Sequence, residues 1–370
     1  MRTAVLATLL ATLPVPSEAA AALPPAVWPA PRSARCTPGA GPALVKALAL
    51  PLSGPGARSA IAINATARYR PLLTAGSGAS GGVGAVAIAV ADANETLGQG
   101  TDYSYTIIVS GGKVSATAAS PYGVAYALET LSQFLDDAAT LRCTELSVED
   151  APAYIHRGIM IDTGRRFYPV ALVKQTIEGM AMTRQNVLHF HLSEQCFRVQ
   201  SSAYPQLTAS CLVGKYNNTA SYSRADIAEI VSFARERGVR VLPEFDMPGE
   251  HHRLLTAFLA FLVSAEFYSR QRLVAGHSGG FCTSLAGAGL KCCGGQIEDD
   301  PAGASVKIIS AILSEMATLF PDEVMNIGSD ETGSAAPCTL ANTKSFEVAI
   351  IKHLLSIGKT PMGWEEILVN

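Results

Sequence analysis

Charge is scarce in this sequence and belongs to neither sign: 28 Lys and Arg stand against 31 Asp and Glu, a formal net of -3. A chain without a basic excess lacks the field that would gather nucleic acid or an anionic membrane surface, so neither is expected as a partner. Long apolar runs are few as well. Outside the N-terminus the longest, Leu254 to Ala265, falls short of the ~20 residues that cross a bilayer, and it reads as a buried helix. Metal-ligand spacing is also missing. Cys292 and Cys293 are adjacent rather than C-x-x-C, and no histidine pair stands at ligand distance from them, so neither metal nor organic cofactor is expected.

The chain does have a leader-like start, "MRTAVLATLLATLPVPSEAAAALP", with Arg2, an apolar stretch from Ala4 to Leu13 and small residues at Ala19 to Ala22. That is the layout of a cleavable secretory signal, expected over residues 1–22. Eight cysteines follow it, and an oxidising compartment lets several pair. Sequons at Asn64, Asn94 and Asn217 are compatible with the same route. A lysosome, a vacuole or the cell exterior is its expected end.

Two patterns divide the remainder. Over residues 23–150 a Pro/Ala-rich lead gives way to strand signals, "SAIAINATARY", "VGAVAIAVA" and the hairpin "YTIIVSGGKVSATA", whose Gly111-Gly112 suits a two-residue turn. A helix follows in "SPYGVAYALETLSQFL", with Ser120 as its cap and Val124, Leu128, Leu131 and Leu135 on one face. This predicts a small α+β domain. Over residues 151–370 apolar strands alternate with amphipathic helices: "HRGIMID", "NVLHFHL", "VRVLPEFD", "EVMNIGSDE" and "TPMGWEEI" are the strands. Such alternation predicts a parallel sheet with right-handed crossovers, an α/β fold of TIM-barrel type. A closed barrel needs eight strands, so about five units make an unfinished one.

Catalytic side chains of such a barrel gather at the C-terminal ends of its strands. Those ends carry Asp162, Arg165 and Arg166; His189, His191 and Glu194; Glu244, Asp246, Glu250, His251 and His252; Asp330 and Glu331; and Trp364 and Glu365. Acids, a guanidinium, histidines and an aromatic on one rim suit sugar cleavage, because an oxocarbenium-like transition state needs a proton donor and nearby negative charge.

The segments "RGIMIDTGRRFYP", "MTRQNVLHFHLSE", "RGVRVLPEFDMPG" and "MNIGSDET" resemble, in order, the first four barrel strands of glycoside hydrolase family 20, the β-N-acetylhexosaminidases, and "GWEEI" resembles a later one. The smaller domain resembles the family's non-catalytic α+β domain. The resemblance implies a substrate-assisted reaction in which the sugar's own 2-acetamido oxygen attacks the anomeric carbon. Asp330 would orient that group and Glu331 would serve as general acid and base. It further implies that Arg165, Glu194, His251 and Trp364 bind substrate, and that Cys282 and Cys338 form a disulfide. The implied substrate is a terminal β-linked N-acetylglucosamine or N-acetylgalactosamine of a glycoconjugate or chitin oligomer, and a homodimer is an assembly many relatives adopt. The alternative reading is an inactive partial chain or amino-sugar binder. Three departures from the family pattern stand out: Glu194 where Asp is usual, Glu250 where His directly follows "PG", and Asn326 through Glu331 in place of H-x-G-G-D-E.

Overall fold

The computed structural model describes residues 27–78, 82–193, 197–209, 220–248, 286–290, 292–293, 296–297, 303–329 and 340–368. Its N-terminal part contains strands β1 (Ser33–Pro38), β2 (Leu44–Ala49) and β3 (Leu52–Ser53), helix α1 (Ala60–Leu73), then β4 (Val83–Val90), β5 (Tyr105–Ser110), β6 (Lys113–Ala118), α2 (Pro121–Gln133) and β7 (Cys143–Asp150). The strands form one sheet in the order β1-β7-β5-β6-β4-β2, with β3 beside β4. Val86, Ile88, Val90, Ile107, Val109, Val114 and Ala116 alternate with exposed neighbours, as strands buried on one face must, and α1 and α2 cover that face. Gly111 and Gly112 take φ of 53° and 73° at the β5–β6 turn, the left-handed geometry a tight hairpin requires.

Two expectations for this part need correction. "SAIAINATARY" is helix α1, not a strand: Ser59 accepts a bond from the Ala62 amide, and Ile61, Ala65, Tyr69 and Leu73 recur every fourth residue on the buried face. Ser120 does not cap α2 with its side chain; its hydroxyl donates to the Asp102 carbonyl instead. The lead before Arg58 holds β1 and β2, and Cys36 on β1 is joined to Cys143 on β7, the strand paired with it.

The C-terminal part runs β8 (Gly158–Asp162), α3 (Val170–Met182), β9 (Val187–Ser193), α4 (Arg224–Arg235), β10 (Arg240–Phe245), a short hairpin of β11 (Cys292–Cys293) and β12 (Gln296–Ile297), α5 (Ala304–Leu319), β13 (Val324–Asn326), α6 (Leu340–Ser356) and β14 (Thr360–Met362). The parallel strands lie in the order β8-β9-β10-β13-β14, each next to its predecessor, with a helix in every connection. This is the arc predicted for five barrel units. Ser223 and Asp226 form a capping box on α4, and Gly238 closes that turn at φ 69°.

Side chains of β9 separate the two faces of the arc. Leu188, Phe190 and Leu192 point outward into a core with Ile177, Ile227, Ile230 and Ile312, while Val187, which packs on Leu242 and Val324, faces inward. His189 and His191 share the inward alternation. Among the described residues β8 and β14 are the sheet edges, and beside them opens a cavity of about 550 Å³ whose lining includes Ile155, His156, Leu242, Val324, Met362 and Trp364.

The two parts meet through polar groups. Arg184, 5% exposed and with φ of 58°, donates to Asp150 Oδ2 at 2.6 Å and to the Thr130 hydroxyl, over the faces of Tyr105 and Tyr126. Arg157 donates to the Arg184 carbonyl and to the Tyr126 hydroxyl, and Tyr103 donates to the Gly238 carbonyl. Buried charges need such partners, because an unpaired ion away from water is costly.

Candidate active site

On the inner face of the arc, His189 of β9 and Glu244 of β10 meet diagonally, Glu244 standing opposite His191 in the register. His189 Nε2 lies 2.5 Å from Glu244 Oε2 and 3.2 Å from Asn326 Nδ2. One ring nitrogen carries either a proton or a lone pair, so it serves one neighbour; the shorter contact and the acceptor character of a carboxylate place the proton toward Glu244. Glu244 is fully buried, and its other oxygen accepts the Trp364 indole N–H at 3.0 Å. The His189 and Trp364 rings stand 5.8 Å apart. Thus β9, β10 and β14 are tied together, and the indole, which follows β14, is held in a fixed plane.

The turn after β13 is built for a close approach. Gly328 and Ser329 both take φ of 70°. A Cβ on Gly328 would fall 1.8 Å from Asp246 Oδ1, so only glycine fits. The Gly328 amide donates to Asn326 Oδ1 at 2.8 Å and the Ser329 amide to Asp246 Oδ1 at 2.9 Å. The Ser329 hydroxyl lies 3.0 Å from both the Met247 carbonyl and Glu347 Oε1 of α6. Asp246, Asn326 and Ser329 are fully inaccessible and Glu347 nearly so. The positions where this sequence departs from H-x-G-G-D-E are therefore bonded parts of the turn.

Arg165 stands at the mouth, where its amide donates to Asp162 Oδ1 at 2.9 Å and its Nε pairs with Oδ2 at 3.2 Å. Its side chain is 57% exposed. Beneath it, Arg198 donates to the Thr163 carbonyl at 2.7 Å and to the Gly164 carbonyl at 3.4 Å, which fixes the loop that carries Arg165. Thr163 in turn donates to the His191 carbonyl. Burial lowers the Arg198 pKa from its ordinary value.

Of the site residues expected from the sequence, the structure brings Arg165 and Trp364 to the same end of the arc, with Asp162, His189, His191, Glu244 and Asp246 below them. Asp330, Glu331, Glu194, His251, Glu250 and the Cys282–Cys338 pair lie outside the described residues. Sequence reasoning missed Asn326 as a bonded group, Arg198, Ser329 and Glu347. The signal for Arg198 was a lone charge inside "CFRVQ"; Glu347, in a helix with ordinary polar spacing, gave none.

No described helix is long and apolar enough to cross a membrane. A parallel arc with acids, histidines and an indole at its C-terminal end has the architecture of an α/β-barrel catalytic face. The family "Glycosyl hydrolase family 20, catalytic domain" matches residues 154–370, and "Glycosyl hydrolase family 20, domain 2" matches residues 24–151. The chain belongs to glycosyl hydrolase family 20. It is 28% identical over 287 residues to the β-hexosaminidase subunit beta of Mus musculus, covering 72% of this chain and 49% of the mouse protein. To the β-hexosaminidase subunit B2 of Dictyostelium discoideum it is 30% identical over 312 residues, 76% of this chain and 51% of that protein. Among solved structures, the chitobiase of Flavobacterium johnsoniae superposes with a TM-score of 0.73 at 25% identity, over 93% of this chain and 53% of that one. The β-N-acetylhexosaminidase of Streptomyces coelicolor superposes at 0.70 and 25%, over 92% and 66%. The arc is thus part of a TIM-barrel catalytic domain preceded by a smaller domain, and the chain spans about half the length of these curated relatives.

Proposed function

We propose that this chain is an exo-acting β-N-acetylhexosaminidase, or the acid-bearing half of one, that releases terminal β-linked N-acetylglucosamine or N-acetylgalactosamine with retention. The observation that carries the reading is the strapped turn after β13: Asp246 and Glu347 hold Gly328-Ser329 in place, and the next two residues of the chain are Asp330 and Glu331. In this reading Asp330 orients the substrate's acetamido group and stabilises the charge on the oxazolinium that forms as its oxygen attacks the anomeric carbon. Glu331 gives its proton to the leaving oxygen and then takes one from the water that opens the ring. Trp364, its N–H spent on Glu244, offers an apolar plane to the acetamido methyl, and Arg165 offers a fork of donors to sugar hydroxyls. Glu194 and His251 complete the substrate contacts.

The same proposal includes a secretory signal over residues 1–22, domains over 23–150 and 151–370, a lysosomal, vacuolar or extracellular destination, and a Cys282–Cys338 disulfide. The test is Glu331→Gln assayed on two aryl β-N-acetylglucosaminides. With a poor leaving group, loss of the acid costs about 10²- to 10⁴-fold; with an activated leaving group the loss is much smaller. Equal turnover by variant and wild type on both substrates rejects the assignment. A second reading is a chain that binds amino sugars without cleaving them, in the cavity that Trp364 helps to line. Saturable binding of N-acetylglucosamine by a folded preparation with no turnover supports it.

A further inference from the structure

Three sequons are equivalent as sequence, but the fold treats them differently. Asn64 sits half-buried on α1, and the hydroxyl residue of its sequon, Thr66, is 6% exposed with its hydroxyl donating to the Ile63 carbonyl at 2.8 Å. Asn217 lies outside the described residues. Asn94 and Thr96 are both exposed, in the segment that leaves β4.

What fixes that segment is its middle residue. Glu95 Oε1 accepts the Ser59 hydroxyl at 2.6 Å and the Ala60 amide at 2.9 Å, and Oε2 accepts Arg235 at 3.1 Å. The Glu95 carbonyl accepts the Tyr122 hydroxyl at 2.8 Å. The Ser59 hydroxyl, with Arg235 and the Ala60 amide, holds this carboxyl below its ordinary range, as a well-bonded carboxylate should be. With Glu95 held inward, Asn94 and Thr96 are both exposed, and Asn94 Oδ1 accepts the Thr96 amide at 2.9 Å, which keeps the amide and the hydroxyl residue side by side.

We propose that Asn94 is an N-glycan acceptor and that its glycan stands at the seam between the two parts of the molecule. The contacts of the segment give its location. Arg235 ends α4 just before β10, and Gln99 donates its amide to Glu323, immediately before β13, at 2.6 Å. Both mark the N-terminal end of the barrel strands, opposite to Trp364 and Arg165. A glycan there leaves the candidate active site open and covers the seam that Glu95 and Gln99 bridge. Transfer joins the Asn94 side-chain nitrogen to the reducing-end carbon of an oligosaccharide carried on a lipid pyrophosphate donor; the carbon–oxygen bond to the pyrophosphate breaks and the amide loses one proton.

The inference rests on the proposed secretory route, and the test separates the two. The full chain, with its own N-terminus, is expressed in a glycosylating eukaryotic cell, and the purified protein is treated with peptide-N-glycosidase in heavy-oxygen water and mapped by mass spectrometry. Asn94 is expected to be read as labelled aspartate. Asn94→Gln and Thr96→Val should each lose the label and one step of the enzyme-induced gel shift, Thr96→Ser should keep both, and all should melt with the wild type. A chain whose leader has been removed but whose Asn94 is unlabelled overturns the proposal. A retained leader with no sequon modified overturns the route and the proposal with it.

Discussion

Ser329 holds a left-handed backbone conformation that an L side chain enters at a cost of ~1–2 kcal/mol, and its hydroxyl is the compensation. Two substitutions separate these contributions. Ser329→Gly and Ser329→Ala both lose the hydroxyl, but only the glycine variant is relieved of backbone strain, so the alanine variant should be less stable by about 1 kcal/mol. Chemical denaturation of the pair reads this directly; equal midpoints would mean that Ser329 is not strained. Much of this turn was legible from the sequence as a site, because a Gly step after an apolar run and before two acids is unusual. Its internal bonds were not, since Asp246 and Glu347 reach it from 83 and 18 residues away.

Glu315 joins three elements of the C-terminal part. Projecting from α5, it accepts the Ser201 hydroxyl at 2.6 Å, the Ser202 amide at 2.7 Å and Arg224 at 2.9 Å, and so fastens the connection after β9 to the start of α4. Burial alone would raise its pKa, but these hydrogen bonds outweigh it and the carboxyl falls below its ordinary 4.5. The folded pKa is thus lower than the unfolded one. The stabilisation is present in full above the unfolded value and is lost as pH falls through the folded value. Glu315→Gln should flatten that part of the stability–pH curve below about pH 5, and an unchanged slope would contradict the assignment.

The clamp between the two parts is the buried Arg184–Asp150 pair. Arg184→Ala leaves Asp150 buried with one partner fewer, and should cost about 3–5 kcal/mol by denaturant titration. A cost under about 1 kcal/mol would mean that water already reaches the pair. The sequence showed the barrel strands and their helices plainly, because parallel strands buried on both faces are apolar runs and their helices are amphipathic. It concealed α1, whose Ala-Ile alternation imitates a strand until Ser59 is recognised as its cap. It concealed β1 too, whose partner β7 comes more than a hundred residues later and whose composition is that of a linker.

For the molecule as a whole, the Cys36–Cys143 disulfide spans a sequence separation of 107 residues and staples the first strand to the last of the N-terminal sheet. Replacing both cysteines with serine should lower stability by about 2–4 kcal/mol, the typical effect of such a cross-link on the unfolded chain. Unchanged thermal stability would show the strand pairing to be sufficient. The position of the site follows from the architecture: five parallel strands place their carboxyl ends on one rim, so residues from β8, β9, β10, β13 and β14, distant in sequence, meet without any local motif that joins them.

The most direct measurement of the proposed chemistry compares two aryl β-glycosides that differ only at C2, one with an acetamido group and one with a hydroxyl. If the substrate's own acetamido oxygen is the nucleophile, the folded protein should hydrolyse the acetamido sugar and leave the hydroxyl sugar essentially untouched. Comparable hydrolysis of both, or binding of the acetamido sugar with no release of the aryl group, would contradict the account.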